Sequence, residues 1–425
     1  MRYYLGLLAA LLLSALIYTR RLRRETAATL GLPFLVVLIA ASMIIYPEPS
    51  FKAAERGLRV WWGIVLPALL PFFIAAEVLM GIGVVHFMGV LMEPLMRPVF
   101  NVPGTGSFTL VMGVASGYPL GAALSARLKE DGLATKTEAE RLMCFCNTSD
   151  PLFMTGAVAV GMFRRADLAP VIMGAHYLSA LAVGVLLRFW RRGEAPSLPI
   201  QAEPGFIVAR AYRAMRKAQA EDPKAFGELL GDSVRRSVST LLLILGFMVL
   251  FSVIFELMKM AGLAALLSAA ISKVVPDALV PKALHQSLVS GLFEITIGTS
   301  MASAAGAPLV ARVAACSAVI AWSGLSVHAQ VAAVIQPSGL SVWPYTSTRF
   351  LQGIIAASMT VLFMRAAGAR WSMPTFEPYV ITGSLAWFQS LGGAAGMCLI
   401  CVAGVTALAL ALVAWESVRR SIRRA

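Results

Sequence analysis

The chain has 425 residues, of which 58% are hydrophobic and 14% charged, with a mean hydropathy of +0.77. That balance excludes an ordinary soluble domain, because the apolar surplus is too large to hide inside one water-soluble core. The 36 Lys and Arg against 22 Asp and Glu give a formal charge of +14, yet the basic residues gather at the ends of apolar runs, so no nucleic-acid partner is indicated.

A membrane-crossing helix needs roughly 20 apolar residues. Apolar runs lie at 5–18, 30–46, 61–79, 152–163, 168–189, 241–257, 353–364 and 392–414. Some are short or broken, and the length rule predicts about eight to ten crossings. The first run has only Arg2 ahead of it, lacks a small-residue cleavage site, and is followed by Arg20, Arg21, Arg23 and Arg24. It therefore reads as a retained anchor with its N-terminus outside, not as a signal peptide. Arg188, Arg191 and Arg192 follow a middle run, and Arg419, Arg420, Arg423 and Arg424 close the chain, which places these ends in the cytoplasm by the positive-inside rule. Cys144, Cys146, Cys316, Cys398 and Cys401 are an odd set within apolar segments, as for reduced, buried thiols.

The predicted organisation is all-α and polytopic. Residues 1–50 form N-terminal anchor helices, 51–190 a first repeat, 191–237 a basic cytoplasmic linker with an amphipathic helix at 207–220, 238–366 a second repeat, and 367–425 a last span and basic tail. The repeat rests on three landmarks: Glu256 follows Glu77 by 179 residues, Gly298 follows Gly121 by 177, and Ser326 follows Ser149 by 177. Both halves interrupt apolar segments at corresponding places. Non-helical backbone at membrane depth survives only where protein or a water-filled cavity covers it, and paired interruptions point to a transporter binding site.

In chain order, the first interruption lies in 107–127, where Gly113, Gly117, Pro119 and Gly121 surround Ser116 and Tyr118 and predict a re-entrant hairpin. The second is Asn147-Thr148-Ser149-Asp150-Pro151. Pro151 suits a first helical turn and Ser149 or Asp150 an N-cap, so a half-helix starting there aims its free N–H groups at an anion. The third is a hairpin at 284–303, glycine-broken near its middle, that carries Glu294 and Thr296. A carboxyl at that depth is costly and is a functional candidate by default. The fourth is 322–330, where Ser323, Ser326 and Gln330 are expected on one helical face. Arg312 and Arg349 are the candidate anion-pairing groups, and Glu77 and Glu256 are weaker candidates near the surface. His86, His176, His285 and His328 are scattered without metal-ligand spacing and Cys398-x-x-Cys401 has no partner pair, so helix packing explains them and neither metal nor cofactor is implied. No phosphate-binding loop is present, which argues against a primary pump.

The motifs Ser-Gly-Tyr-Pro-Leu-Gly at 116–121, Asn-Thr-Ser-Asp-Pro-Leu-Phe at 147–153, Phe-Glu-Ile-Thr-Ile-Gly at 293–298 and Gly-Leu-Ser-Val-His-Ala-Gln at 324–330 resemble the sporulation integral membrane protein YlbJ family. The resemblance covers about residues 61–364. That family is similar to nucleoside-recognition, or Gate, domain proteins and more remotely to concentrative nucleoside transporters. It implies inverted repeats with paired re-entrant hairpins, and transport of dipicolinic acid across the outer forespore membrane. One departure is Asp150, which stands where the family pattern has a small residue and where an ionised carboxylate repels an anionic substrate unless it faces away or takes up a proton.

The functional expectation is a secondary carrier in the bacterial membrane for a small anionic metabolite, coupled to H+ or Na+, with Asn147, Thr148, Ser149, Asp150, Ser116, Tyr118, Glu294, Thr296, Ser323, Ser326 and Gln330 lining the site. Self-association as a homo-oligomer is compatible with it. The alternatives are a carrier of nucleosides or another metabolite, a sporulation scaffold, and a membrane-embedded enzyme. No His–Asp or Ser–His pair at useful spacing supports the last.

Overall fold

The computed structural model describes residues 24–198, 206–223, 225–277 and 280–366. The expected spans at 5–18 and 392–414, the terminal arginine cluster, and Cys398 and Cys401 lie outside these residues. Every regular element described is helical. Four described helices are long and apolar enough to cross a bilayer, or up to six if each of two sharply bent pairs counts as one span.

The first half begins with α1 (Arg24–Ile45), turns through 104°, and continues as α2 (Pro47–Val60). Pro47 starts α2 where its missing N–H costs nothing. This helix is amphipathic and buries only its small residues Ser50, Ala53 and Gly57. A π-wound turn, Trp61–Val65, leads into α3 (Leu66–Gly81), and Gly83, at φ +78°, bends the chain into α4 (Val84–Phe100). A hairpin follows, α5 (Gly106–Ser116) and α6 (Leu120–Glu130), then α7 (Lys136–Cys146), a π-helical segment (Phe153–Met162) and α8 (Ala169–Leu187).

The connecting segment carries α9 (Ile207–Glu221), the amphipathic helix expected from its polar periodicity. Then comes the same order of elements: α10 (Phe226–Met260), a left-handed Gly262, α11 (Leu263–Val274), the hairpin α12 (His285–Phe293) and α13 (Ile295–Ala304), the interrupted pair α14 (Leu309–Trp322) and α15 (Gly324–Ile335), and α16 (Val342–Ala366). The halves are joined at their outer ends, where Trp61 donates its indole N–H to the Leu241 carbonyl at 3.0 Å and Arg56 meets Glu256 at 2.8 Å.

The second hairpin corrects the expected position of its break. The chain opens at Glu294, which is extended at φ −145°, and not at a glycine. Gly291 and Gly298 flank it and let the two arms touch, since a Cβ on Gly298 would stand 2.3 Å from the Gly291 Cα. In the first hairpin the break does fall on glycine, at Gly117 with φ +79°. There Gly113 and Gly121 serve a third chain segment. A Cβ on either would meet the Cys146 carbonyl oxygen, at 2.0 and 2.4 Å. That carbonyl is the last before the Asn147 break, so the absence of two side chains sets where the break sits.

The start of α7 is fixed by a reciprocal capping box. Thr135 Oγ1 accepts from the Glu138 N–H at 3.3 Å while Glu138 accepts from the Thr135 N–H at 2.9 Å. Arg97 and the Ser197 N–H also meet Glu138. Burial raises the pKa of this carboxyl, but the Thr135 N–H, Ser197 and Arg97 outweigh it and hold the group below the ordinary carboxylate value of 4.5. A depressed folded pKa means stability present above the unfolded value and lost as pH falls through the folded one. Acidification below about pH 4.5 is therefore expected to lower the thermal midpoint in detergent, and Glu138→Gln to lower the neutral-pH stability by roughly 2 kcal/mol while flattening that acid dependence.

Candidate functional site

Four residues in irregular backbone, 147–150, separate α7 from the π-helical segment, and their polar groups are met one by one. The Asn147 side-chain oxygen Oδ1 accepts from the Ala122 N–H at 3.4 Å, and its Nδ2 donates to the Tyr345 hydroxyl at 3.0 Å. Thr148 donates to the Gly113 carbonyl at 3.2 Å. The peptide groups of Ser149 are clamped by consecutive residues of α8: the Ser149 N–H donates to His176 Nε2 at 3.0 Å, and the Tyr177 hydroxyl donates to the Ser149 carbonyl at 3.1 Å. Asp150 turns its carboxylate onto the helix it precedes, accepting from the Phe153 N–H at 2.8 Å. Of the two expected caps, Asp150 is the one used. Freed backbone is stable here because two α8 side chains take up the Ser149 peptide groups, while the Asn147 and Thr148 side chains tie the segment to α16 and to the α5 main chain.

The second interrupted helix breaks at Ser323, which is left-handed at φ 70°, so this serine is the hinge itself and does not share a helical face with Ser326 and Gln330. Those two do pair, at 3.4 Å, and are buried. A Cβ on Gly324 would press on the Phe293 carbonyl and the Glu294 nitrogen at 3.0 and 3.2 Å, so hairpin and interrupted helix touch in this half. They touch in the first half too, where Gly117 abuts Asp150. Glu294 caps α13 by accepting from the Ile297 N–H at 2.7 Å, and Thr296 sits in the same first turn.

The two interruptions meet through α16. The Tyr345 hydroxyl accepts from Asn147 and shares a 3.2 Å hydrogen bond with Ser323. One turn on, Arg349 is wholly buried between the halves. It donates to the Cys144 carbonyl at 2.7 Å on one side and reaches the Ala321 carbonyl at 3.5 Å on the other. Its guanidinium lies 5.0 Å from the ring centre of Tyr345 and 5.7 Å from that of Tyr118, and the Tyr118 hydroxyl donates to the Ile320 carbonyl at 2.9 Å. No carboxylate pairs with Arg349 among the described residues, and its Nε has no partner there. Removing a cation from water costs several kcal/mol unless an anion compensates it, and two carbonyls with two aromatic faces compensate only in part.

The structure thus brings Asn147, Ser323, Tyr118 and Arg349 together, and places Thr148, Ser149 and Asp150 beside them. Ser116, also buried, ends α5 next to the Gly117 break, and its hydroxyl has no partner among the described residues. Arg312 is not part of this group. It lies in the first turn of α14, roughly 16 Å of helix rise from Ser323, with its guanidinium 5.4 Å from the Phe163 ring centre. Glu77 and Glu256 stand at outer helix ends near Arg236 and Arg56. A cleft of about 210 Å³ opens beside Glu77, His86 and Arg236, away from the interruptions, which are themselves closed over by protein. Sequence reasoning missed Tyr345, Tyr177 and Gln352, and assigned to helix packing both His176 and His328, whose ring lies 4.3 Å from Trp322 and 5.1 Å from Tyr345 between centres. The available signal was polar residues repeating every three to four positions within apolar helices.

A family model described as nucleoside recognition (Gate) matches residues 62–166. The chain is 41% identical over 347 residues, 81% of its own length and 85% of the relative's, to the sporulation integral membrane protein YlbJ of Bacillus subtilis (strain 168). Among solved structures, CNTnw in an outward-facing state aligns with a TM-score of 0.38 and 13% identity, covering 80% of this chain and 88% of that one. CNTnw in the intermediate 1 state aligns with a TM-score of 0.41 and 14% identity, covering 85% and 87%.

Proposed function

The chain belongs to the family of the sporulation integral membrane protein YlbJ, and from that premise we propose that it is a secondary transporter of a small planar dianion, dipicolinic acid, across the outer forespore membrane. The observation that carries this reading is the buried Arg349, set between the interruptions of the two halves with no carboxylate partner among the described residues. A carboxylate arriving there completes an ion pair in a low-dielectric site, where charge-assisted hydrogen bonds are strongest. The rings of Tyr118 and Tyr345 beside the guanidinium suit a flat aromatic acid. The two halves act as inverted repeats, alternately opening the closed centre to each side. Asp150 and Glu294, whose carboxylates cap their own helices, are the groups to which coupling with H+ or Na+ falls.

The family model described as nucleoside recognition favours one other cargo, a nucleoside. Its base would find the same rings, but it brings no charge for Arg349. Proteoliposomes carrying the purified protein are expected to take up labelled dipicolinate in a saturable manner and to resist competition by uridine. Competition by uridine and not by dipicolinate would transfer the assignment to nucleosides, and uptake of neither compound would leave a scaffold.

A further inference from the structure

His176 lies at the middle of α8, is fully buried, and has a proton whose position is dictated by its neighbours. The backbone N–H of Ser149 can only donate, so Nε2, 3.0 Å away, must be the lone-pair nitrogen. The proton of the neutral ring is then on Nδ1. That N–H has no hydrogen-bond partner among the described residues. A buried donor left unmade is costly, and proteins retain few of them without a use.

The orphan donor is not isolated. Gln352, seven residues and two turns beyond Tyr345 on the same buried face of α16, donates its amide to the His176 carbonyl at 3.3 Å while its own Oε1 stays unpartnered. Arg349 lies one turn back on that face, with an unpartnered Nε and a charge whose field reaches the imidazole. The facing surfaces of α8 and α16 therefore present two unused N–H donors, a neutral one held to the first interruption through Ser149 and a charged one set between the helices that lead into both. His328 does not duplicate the arrangement. Its Nδ1–H donates to the Gly324 carbonyl at 2.8 Å, which leaves a bare acceptor at Nε2.

We infer that His176 Nδ1–H is a specificity-determining donor for a second carboxylate of the substrate, Arg349 taking the first. This rests on the transporter reading above and narrows it: the site selects dicarboxylates against monocarboxylates of the same ring. Ligation of Ser149 also makes the reader sensitive to the conformation of the 147–150 segment, since the imidazole presents Nδ1–H only while Nε2 is held.

The test compares uptake of pyridine-2,6-dicarboxylate with that of pyridine-2-carboxylate in proteoliposomes. Wild type is expected to prefer the dicarboxylate by roughly 10- to 100-fold, the range of one hydrogen bond to a charged group. His176→Gln can still accept from Ser149 but has no donor at the Nδ1 position, and is expected to bring the preference near unity by losing dicarboxylate uptake alone. His176→Asn keeps a donor near the Nδ1 position but releases the Ser149 N–H, and is expected to keep part of the preference, above that of His176→Gln. A preference undiminished in His176→Gln overturns the inference. So does a wild type that carries both acids equally, although the transporter reading survives that result. Uptake of neither acid by wild type defeats the transporter reading itself. Should neither variant be recovered in detergent, competition on wild type decides: pyridine-2-carboxylate competing as strongly as the dicarboxylate overturns the assignment.

Discussion

Arg349→Gln is expected to reduce dipicolinate uptake at least 100-fold while leaving the purified protein as stable as wild type, or more stable. The two effects have opposite signs for one reason. In the empty protein the guanidinium is a buried cation whose compensation comes from the Cys144 and Ala321 carbonyls and two aromatic faces. Replacing a poorly compensated buried charge by a neutral group is often neutral or stabilising. In the loaded protein the same cation meets a carboxylate, and losing one partner of a buried charge pair costs about 3–5 kcal/mol, which at about 1.4 kcal/mol per decade is on the order of 100- to 1,000-fold or more. Uptake and the thermal midpoint in detergent, measured on the same preparation, check both arms. Were Arg349 merely a helix tie, Arg349→Gln would melt earlier and still transport once folded. Arg349→Lys is expected to rank between wild type and Gln, since a point charge on a shorter donor set cannot reach both carbonyls and a carboxylate.

The second large effect is structural. Gly113→Val and Gly121→Val are each expected to destabilise by about 3 kcal/mol or more, with little folded protein recovered. A Cβ at either position would come within 2.4 Å of the Cys146 carbonyl oxygen, which is main chain and cannot rotate aside. The first hairpin would be pushed off the end of α7. Thr148 would then lose its bond to Gly113, and Asn147 its bond to Ala122. Gly231→Ala is the control, because nothing lies within 4 Å of the added carbon and the helix interior favours Ala. Size-exclusion recovery and thermal midpoints of the three variants separate a local clash from a general intolerance of substitution.

Much of the frame is legible in the residues alone. Interruptions at Gly117, at Asn147–Asp150 and within 322–330 stand out because Gly, Pro and Asn weaken or end a helix wherever they fall inside an apolar run, although Ser323 was expected on a helical face and is the hinge. That the two interruptions serve one site was expected, but which side chains join them was not legible, for a physical reason. Tyr345 and His176 look like ordinary residues of continuous spans, and only packing makes one the partner of Asn147 and the other the clamp on Ser149. Arg349 could be named from its position near the second-half motifs, but Arg312 carried the same mark and proved to lie beside Phe163, at the far end of α14. Local pattern assigns residues to helices and depth. It does not assign them to neighbours far along the chain, such as Tyr118 to Ile320. The position of the second hairpin's break was missed because the glycines there serve the approach of two arms, while the turn itself uses an extended glutamate.

The 35-residue α10 has one more consequence. At 1.5 Å per residue it is about 52 Å long, against a hydrocarbon thickness of about 30 Å, so roughly 20 Å of continuous helix stands clear of the lipid. Its opening turns carry Glu228, Asp232, Arg235 and Arg236, and its apolar stretch begins at Leu241. These opening turns rest on the end of α3, with Leu229 against Gly81 and Arg236 near Glu77, so a reorientation of about 10° within the bilayer carries this packed end by roughly 3.5 Å. Motion at the centre of the molecule is thereby converted into a displacement in water, where a spectroscopic label at Gly231 could follow each turnover from outside the membrane.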